Sequence, residues 1–279
     1  MVSNSDKKIS VIVPTYQRYD YLELTLKSIL EQTHQNLELL VVADGDDPDT
    51  ATVVSSLGDP RARYLFTEHG GRPAIPRNEG LRQASGDVLA FCDDDDIWLS
   101  RKLESQLSTL TESVYLMCTT DYCYIDENGD ELDRTNCYEK YFGPIDWRMF
   151  FHSMGFICNS AVIFSRKAFE KVGFVNEAPE LRAYEDFEYW MRMLYRNKGF
   201  FISRKLVSYR VHSGSIQKES PRRVFEQRVE LHRSLKNTLQ IPKVDYVRKY
   251  CKLACHYGFD RWPGLKKVFR GIQGRPVEK

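Results

Sequence analysis

At 279 residues the chain is long enough to bury a substantial core, and 42% hydrophobic with 28% charged residues is the composition of a folded protein, not a disordered one. No apolar run nears the roughly 18 residues of a membrane span, and the start MVSNSDKKIS lacks the apolar h-region of a signal peptide. The net charge of +1 conceals a division: residues 218–279 hold 16 Lys+Arg against 6 Asp+Glu, a surplus of +10, which leaves residues 1–217 at −9.

ISVIVPTY and LELLVVAD are short runs rich in Val, Ile and Leu, the composition of strands buried on both faces. Between them Asp20 and Glu23 fit a capping box, and Leu22, Leu26, Ile29 and Leu30 recur at helical spacing. The alternation continues with a helix after Pro48, a short strand at RYLF, and a loop marked by Gly70, Gly71, Pro73 and Pro76. Arg77 and Asn78 open the next helix, and DVLAFC is the next strand. Strands alternating with helices of this length predict an α/β fold, with a mainly parallel sheet flanked by helices and ligands beyond the carboxyl ends of the strands. After Leu110 come short strands and turns, MCTTDYCYIDENGDEL and NSAVIFS, then a helix from Glu185 to Arg196 on which Glu188 and Arg192 form a surface pair. From Pro221 helical segments follow, with Val224, Leu231, Leu235 and Leu239 on one stripe and Val247, Cys251 and Ala254 on another. The expected division is a catalytic domain over 1–217, with halves 1–110 and 111–217, and a basic helical extension over 218–279.

Strand ends gather Thr15 and Tyr16, Asp44, and the run Asp93 to Asp96 on one rim. Four adjacent carboxylates repel one another, more so where water is excluded, so a positive partner is expected among them. A divalent cation shared with the phosphates of a nucleoside diphosphate meets that need, and an aspartate-rich turn capping the helix near Ser100 is the plainer account. Asp44, ahead of Gly45, suits an acceptor for an imide N–H such as uracil N3, or a simple turn. Glu185 and Asp186 offer a carboxylate to take a proton from an attacking hydroxyl, or an acidic helix N-terminus. Thr15 reads equally as a strand-end cap, Tyr16 as core, and Arg77 as a diphosphate partner or a solvated helix residue. Neither a dinucleotide nor a P-loop glycine motif is present, so dehydrogenase and kinase readings lack their parts, and no Ser/His/Asp or Cys/His set marks a hydrolase. Seven scattered cysteines without a C-x-x-C pair are expected to be reduced core fillers.

The order VIVPTYQR, LLVVADGDD, GGRPAIPRNEGLRQASGD, LAFCDDDDIW, YEDFEYWMR and YRVHSGS resembles the family 2 glycosyltransferases of the GT-A fold, over roughly residues 9 to 215. The resemblance implies a metal-dependent, inverting transfer of a sugar from a nucleotide donor, most simply UDP-linked, to a hydroxyl of a glycan or lipid-linked acceptor in surface polysaccharide synthesis. It implies Mn²⁺ or Mg²⁺ on Asp95, with Asp93 near the ribose or a metal-bound water, Asp94 and Asp96 in support, and His212 reaching the metal or diphosphate from the far side. Asp186 is the implied base, with Glu185 binding the acceptor or seconding it. Pro14, Thr15, Tyr16, Arg18, Asp44 and Arg77 match the nucleotide-binding positions. Ala43 stands where the family commonly has a further aspartate. The rival readings are a nucleotidyltransferase, which lacks its Gly-rich loop after the first strand, and a binding module without catalysis. No nucleic-acid partner is expected.

The basic tail ends in Trp262, Leu265, Val268, Phe269 and Ile272 among Arg261, Lys266, Lys267 and Arg270. That pattern fits a cytoplasmic enzyme held on the anionic inner face of a membrane. Packing of the tail on the acidic body, or an oligomer interface, fits it as well.

Overall fold

The computed structural model describes residues 6–110, 114–134, 141–153, 156–212, 221–246 and 249. β1 (Ile9–Thr15), β2 (Leu37–Asp44) and β4 (Val88–Phe91) are buried throughout, and β3 (Ala62–Thr67) is the half-exposed edge. They run parallel in the order β3-β2-β1-β4, joined by α1 (Tyr19–Leu30), α2 (Pro48–Ser56) and α3 (Ala74–Gln83). Because side chains alternate across a strand, Val11, Val13, Leu39 and Val41 face α1 and one hydrophobic cluster, while Ile12, Leu40 and Val42 face α3 and the other. The chain goes from β1 to β2 on one side and returns to β4 on the other, so the sheet switches direction beside β1, where a crevice opens at the strand ends.

The second half is mixed. β5 (Ile97–Trp98) and α4 (Lys102–Leu107) lead to β6 (Tyr115–Ile125), β7 (Gly143–Ile145) and α5 (Trp147–Ser153). β8 (Val162–Ser165), α6 (Arg166–Val172), α7 (Glu185–Arg196), β9 (Lys198–Arg210) and α8 (Pro221–Thr238) follow. β8 lies antiparallel between β4 and β6, and β6 pairs parallel with β9 through register shifts near Asp121. The architecture is a mixed, mostly parallel sheet flanked by helices.

Several expectations change. Asp20 and Glu23 do not form a capping box: Gln17 takes a left-handed φ of 48°, Arg18 occupies the cap position, and α1 starts at Tyr19 without a side-chain cap. α3 begins at Ala74, so Pro76 lies in its first turn, where a missing N–H costs nothing, and Arg77 and Asn78 lie inside it. Glu188 and Arg192 are a buried pair: Glu188 is 1% exposed, both its oxygens accept from Arg192 Nε at 2.9 Å, and the Arg192 Nη atoms donate to the carbonyls of Val172 and Phe174. Cys92, Cys118 and Cys158 are buried free thiols and Cys123 is half-buried. Leu231, Leu235 and Leu239 of α8, with Ile241 and Tyr246, share one core with Trp190 and Met193 of α7. Val247, Cys251, Ala254 and the tail residues from Arg261 to Ile272 lie outside the described residues, as does the side chain of Val224.

Candidate active site

A cleft of about 520 Å³ opens at the carboxyl ends of β1, β2 and β4 and is closed on its far side by the segment leading into α7. Pro14, Thr15, Tyr16 and Arg18 line it from the end of β1, Asp44 from β2, and Asp93, Asp94 and Asp95 from β4. Arg77 reaches it from α3, and Glu185 and Asp186 from the first turn of α7. The strand-end rule thus brings together residues more than 170 positions apart.

The positive partners demanded by the aspartate run are side chains of the protein itself. Arg18 Nη1 bonds both Asp94 Oδ1, at 3.1 Å, and Asp95 Oδ2. Burial by itself would lower the Arg18 pKa, but Asp94 and Asp95 outweigh it and raise it. His212 Nε2 lies 3.0 Å from the same Asp95 oxygen. Arg77, only 5% exposed, spans the cleft floor, with Nη2 to Asp93 Oδ1 at 2.8 Å and Nη1 to Glu185 Oε1 at 2.9 Å. Its burial is likewise outweighed by Asp93 and Glu185, which raise its pKa. Arg77 is therefore neither solvated nor free; it ties the aspartate run to α7.

Asp96 points the other way and is fully buried. The Asp93 N–H donates to Ser160 Oγ at 2.9 Å, Ser160 Oγ–H donates to Asp96 Oδ2 at 2.5 Å, and the Arg210 N–H donates to Asp96 Oδ1 at 3.0 Å. Burial, with Asp95 and Asp93 close by, holds the Asp96 carboxyl well above the ordinary range. Asp96 fixes the turn that aims its three neighbours into the cleft. Burial also raises Asp94, an effect Arg18 only partly offsets.

Glu185 is buried with one oxygen on Arg77, whereas Asp186 beside it is half-buried. Burial and the adjacent Glu185 raise the Asp186 carboxyl above the usual range, and Arg77 pulls the other way. A carboxylate so shifted is a stronger proton acceptor than a solvated one.

At the other end, both oxygens of Asp44 accept backbone N–H groups, Gly70 to Oδ1 at 2.7 Å and Gly71 to Oδ2 at 2.8 Å. Gly71 sits at φ 65°, the left-handed region in which a side chain is strained. Tyr16 is not core: it is 51% exposed and stacks on His69 with centroids 4.7 Å apart. His69, Arg182 and Tyr209, which line the cleft, and Asn159, whose Nδ2 donates to Asp93 Oδ1 at 2.9 Å, had no signal in the sequence beyond proximity to a strand end or a motif.

The donor chemistry suits a hard divalent cation: two carboxylates converge on one cationic nitrogen of Arg18, with an imidazole on the second of them. As they stand, no three His, Cys, Asp or Glu side chains among the described residues are grouped around one point.

An α/β sheet that gathers acidic and basic side chains at its switch point, with a lone raised carboxylate across the cleft, is the architecture of a GT-A glycosyltransferase. The chain belongs to glycosyl transferase family 2, whose model matches residues 10–173. It is similar to an uncharacterized glycosyltransferase of Rickettsia bellii, 37% identical over 47% of this chain and 19% of that protein. It is also similar to the UDP-Glc:alpha-D-GlcNAc-diphosphoundecaprenol beta-1,3-glucosyltransferase WfgD of Escherichia coli, 29% identical over 76% of this chain and 80% of WfgD. The crystal structure of S. aureus TarS 1-349 in complex with UDP-GlcNAc shares the fold, with a TM-score of 0.71 at 19% identity over 92% of this chain and 74% of that one. The chain spans about a fifth of the length of the Rickettsia bellii, Rickettsia felis and Rickettsia conorii relatives.

Proposed function

We propose that the chain transfers a sugar from a UDP-linked donor to a hydroxyl of a glycan or lipid-linked acceptor, with inversion, in the synthesis of a surface polysaccharide. The observation that carries this reading is the single cleft onto which the aspartate run, two arginines and the raised carboxylate of Asp186 converge. WfgD, named for a UDP-glucose donor and a lipid-diphosphate acceptor, and TarS, crystallised with UDP-GlcNAc, favour the same donor class.

In this mechanism residues 1–110 hold the nucleotide, with Pro14, Thr15 and Tyr16 along the base and ribose. Residues 111–217 hold the acceptor. Asp186 takes the proton as the acceptor oxygen attacks the anomeric carbon, the bond from that carbon to the diphosphate oxygen breaks, and its electron pair leaves with UDP. Mn²⁺ or Mg²⁺, held by Asp95 and His212 with Asp93 close by, would supply neutralising charge for the departing diphosphate. Arg18 and Arg77 keep the carboxylates compact and paired. The basic segment 218–279 is proposed to favour an anionic surface, and no helix of the described residues is long and apolar enough to cross a membrane.

The test is release of UDP from a panel of UDP-sugars in Mn²⁺, with wild type and Asp186→Asn compared on one preparation. Transfer is expected to fall by roughly 100 to 10,000-fold with UDP affinity retained. Pyrophosphate as product would point to a nucleotidyltransferase, and tight donor binding without any turnover to a binding module.

A further inference from the structure

We infer that Arg182 binds the acceptor by its phosphate: the guanidinium pairs with the phosphate ester that joins the acceptor saccharide to lipid, so the protein selects an anionic acceptor over a neutral glycan. The inference rests on the proposed transfer to a lipid-linked acceptor and narrows that reading to one substrate class. Four arginines line the cleft. Arg18 is held by Asp94 and Asp95, Arg77 by Asp93 and Glu185, and Arg72 Nη1 donates to the Glu177 carbonyl at 2.7 Å. Arg182 differs: it is exposed, and its guanidinium bonds to nothing among the described residues.

The backbone that carries this free side chain is fixed from both sides. The Arg182 N–H donates to the Pro179 carbonyl at 3.3 Å, its own carbonyl accepts Gln227 Nε2 at 2.9 Å, and the Tyr184 N–H donates to the Leu181 carbonyl at 2.7 Å. Ala183, next in the chain, is held at φ 68°, and strain of that kind gathers at ligand clamps. A merely solvated arginine needs no such support. Position favours the acceptor's phosphate over the donor's: the donor diphosphate is proposed to lie at the aspartate run, whereas Arg182 stands on the far wall, four residues ahead of Asp186, the proposed base for the attacking hydroxyl. In a short saccharide joined to lipid through a phosphate, that hydroxyl and the phosphate flank the same sugar. A guanidinium offers paired N–H groups to two phosphate oxygens, a stronger contact than any it makes with a neutral hydroxyl.

Phosphorus NMR titration of inorganic phosphate into the full chain, saturated with UDP and Mg²⁺ so that the donor position is filled, tests this. Wild type is expected to bind phosphate, and Arg182→Gln to bind it at least about tenfold more weakly, the worth of one charge-assisted hydrogen bond. Arg182→Lys, which keeps the charge and loses the fork, should retain part of the affinity, and both variants should keep the wild-type melting temperature and UDP affinity. If wild type does not bind UDP, the donor reading itself fails and takes the inference with it. Where UDP binds, phosphate that fails to bind, or binds Arg182→Gln as it binds wild type, overturns the inference and leaves the donor reading standing. A fall in UDP affinity in Arg182→Gln also overturns it, because the arginine then serves the donor diphosphate.

Discussion

Arg18 sets its guanidinium between Asp94 and Asp95, on the Asp95 oxygen proposed to serve a divalent cation, so the two compete for one position. Arg18→Met leaves that pair without its charge, and Mn²⁺ alone is expected to bind at least about tenfold tighter, the worth of one charge-assisted hydrogen bond. Electron paramagnetic titration of free Mn²⁺ measures it; unchanged or weaker binding means that arginine and cation use different sites. Lys102 poses the opposite case, a buried amine whose Nζ has no hydrogen-bond partner among the described residues and lies 3.7 Å from the centroid of the Trp98 ring. Burial pushes its pKa down to about 7, while in the unfolded chain it titrates at about 10.4. Between those values the unfolded chain binds the extra proton, so stability rises with pH from 7 to 10 and the penalty is complete below 7. Lys102→Met should therefore raise stability at pH 7 by several kcal/mol, at about 1.4 kcal/mol per unit, and flatten the alkaline rise. Denaturant melts at pH 7 and 9.5 check both, and a destabilised variant would mean that the amine serves Trp98 as a cation. At this scale the aspartates were legible because four in a row violate electrostatics on their face. His69 and Asn159 were not, because their partners lie 25 and 66 positions away and no local pattern records them.

Elements with strong periodicity or dense apolar runs were legible to within a residue or two. α7 runs from Glu185 to Arg196 as its spacing predicts, and β1 and β2 match their Val/Ile/Leu runs. β9 escaped notice because Lys, Ser and Arg interrupt it, and its burial follows a bulged pairing with β6 instead of strict alternation. α1 was found but its start was misplaced, since Arg18 is drawn to the aspartates and the chain bends at Gln17 to allow it. α3 shows how an element is set against the sheet. A Cβ on Gly80 would stand 2.3 Å from Ile12 Cγ2, and Ile12 is itself fully buried in β1. Helix propensity favours Gly80→Ala by up to about 1 kcal/mol, but overpacking of a tight core costs about 1–3 kcal/mol. The clash is with a branched side chain that has nowhere to move, so a net loss of about 1–2 kcal/mol is expected, read as a lower denaturant midpoint at unchanged slope. A gain in stability would show that α3 can lift off β1. Because α3 carries Arg77, such a lift should also weaken UDP binding.

For the molecule as a whole, the charge division at residue 218 marks a change in composition, yet the apolar stripe of α8 continues the core of the acidic body. Leu231, Leu235, Leu239, Ile241 and Tyr246 are buried with α7, and at about 1.5–3 kcal/mol for each buried large apolar side chain their contribution is comparable with the whole stability of a domain. α8 also reaches the site: Gln227 Nε2 donates to the Arg182 carbonyl at 2.9 Å and Arg228 Nε to Tyr184 Oη at 3.3 Å. Between those two anchors Ala183 is held at φ 68°, an uncommon conformation for a residue with a Cβ, two residues before Glu185. A chain ending at Gln217 is therefore expected to lose cooperative unfolding or to melt far below the full protein, and to lose transfer as the segment ahead of Asp186 relaxes. A chain ending at Lys249 keeps the described core, and its melting temperature against that of the full chain measures what residues 250–279 add to stability. Co-sedimentation with vesicles containing anionic lipid, at low and high salt, then compares the full chain with the one ending at Lys249, because only that pair separates attraction to a surface from loss of the fold. Salt-sensitive binding of the full chain alone assigns the membrane to residues 250–279. Equal recovery of both in the supernatant removes it, and a sharp melt of the chain ending at Gln217 near that of the full protein would show that α8 contributes little to the core.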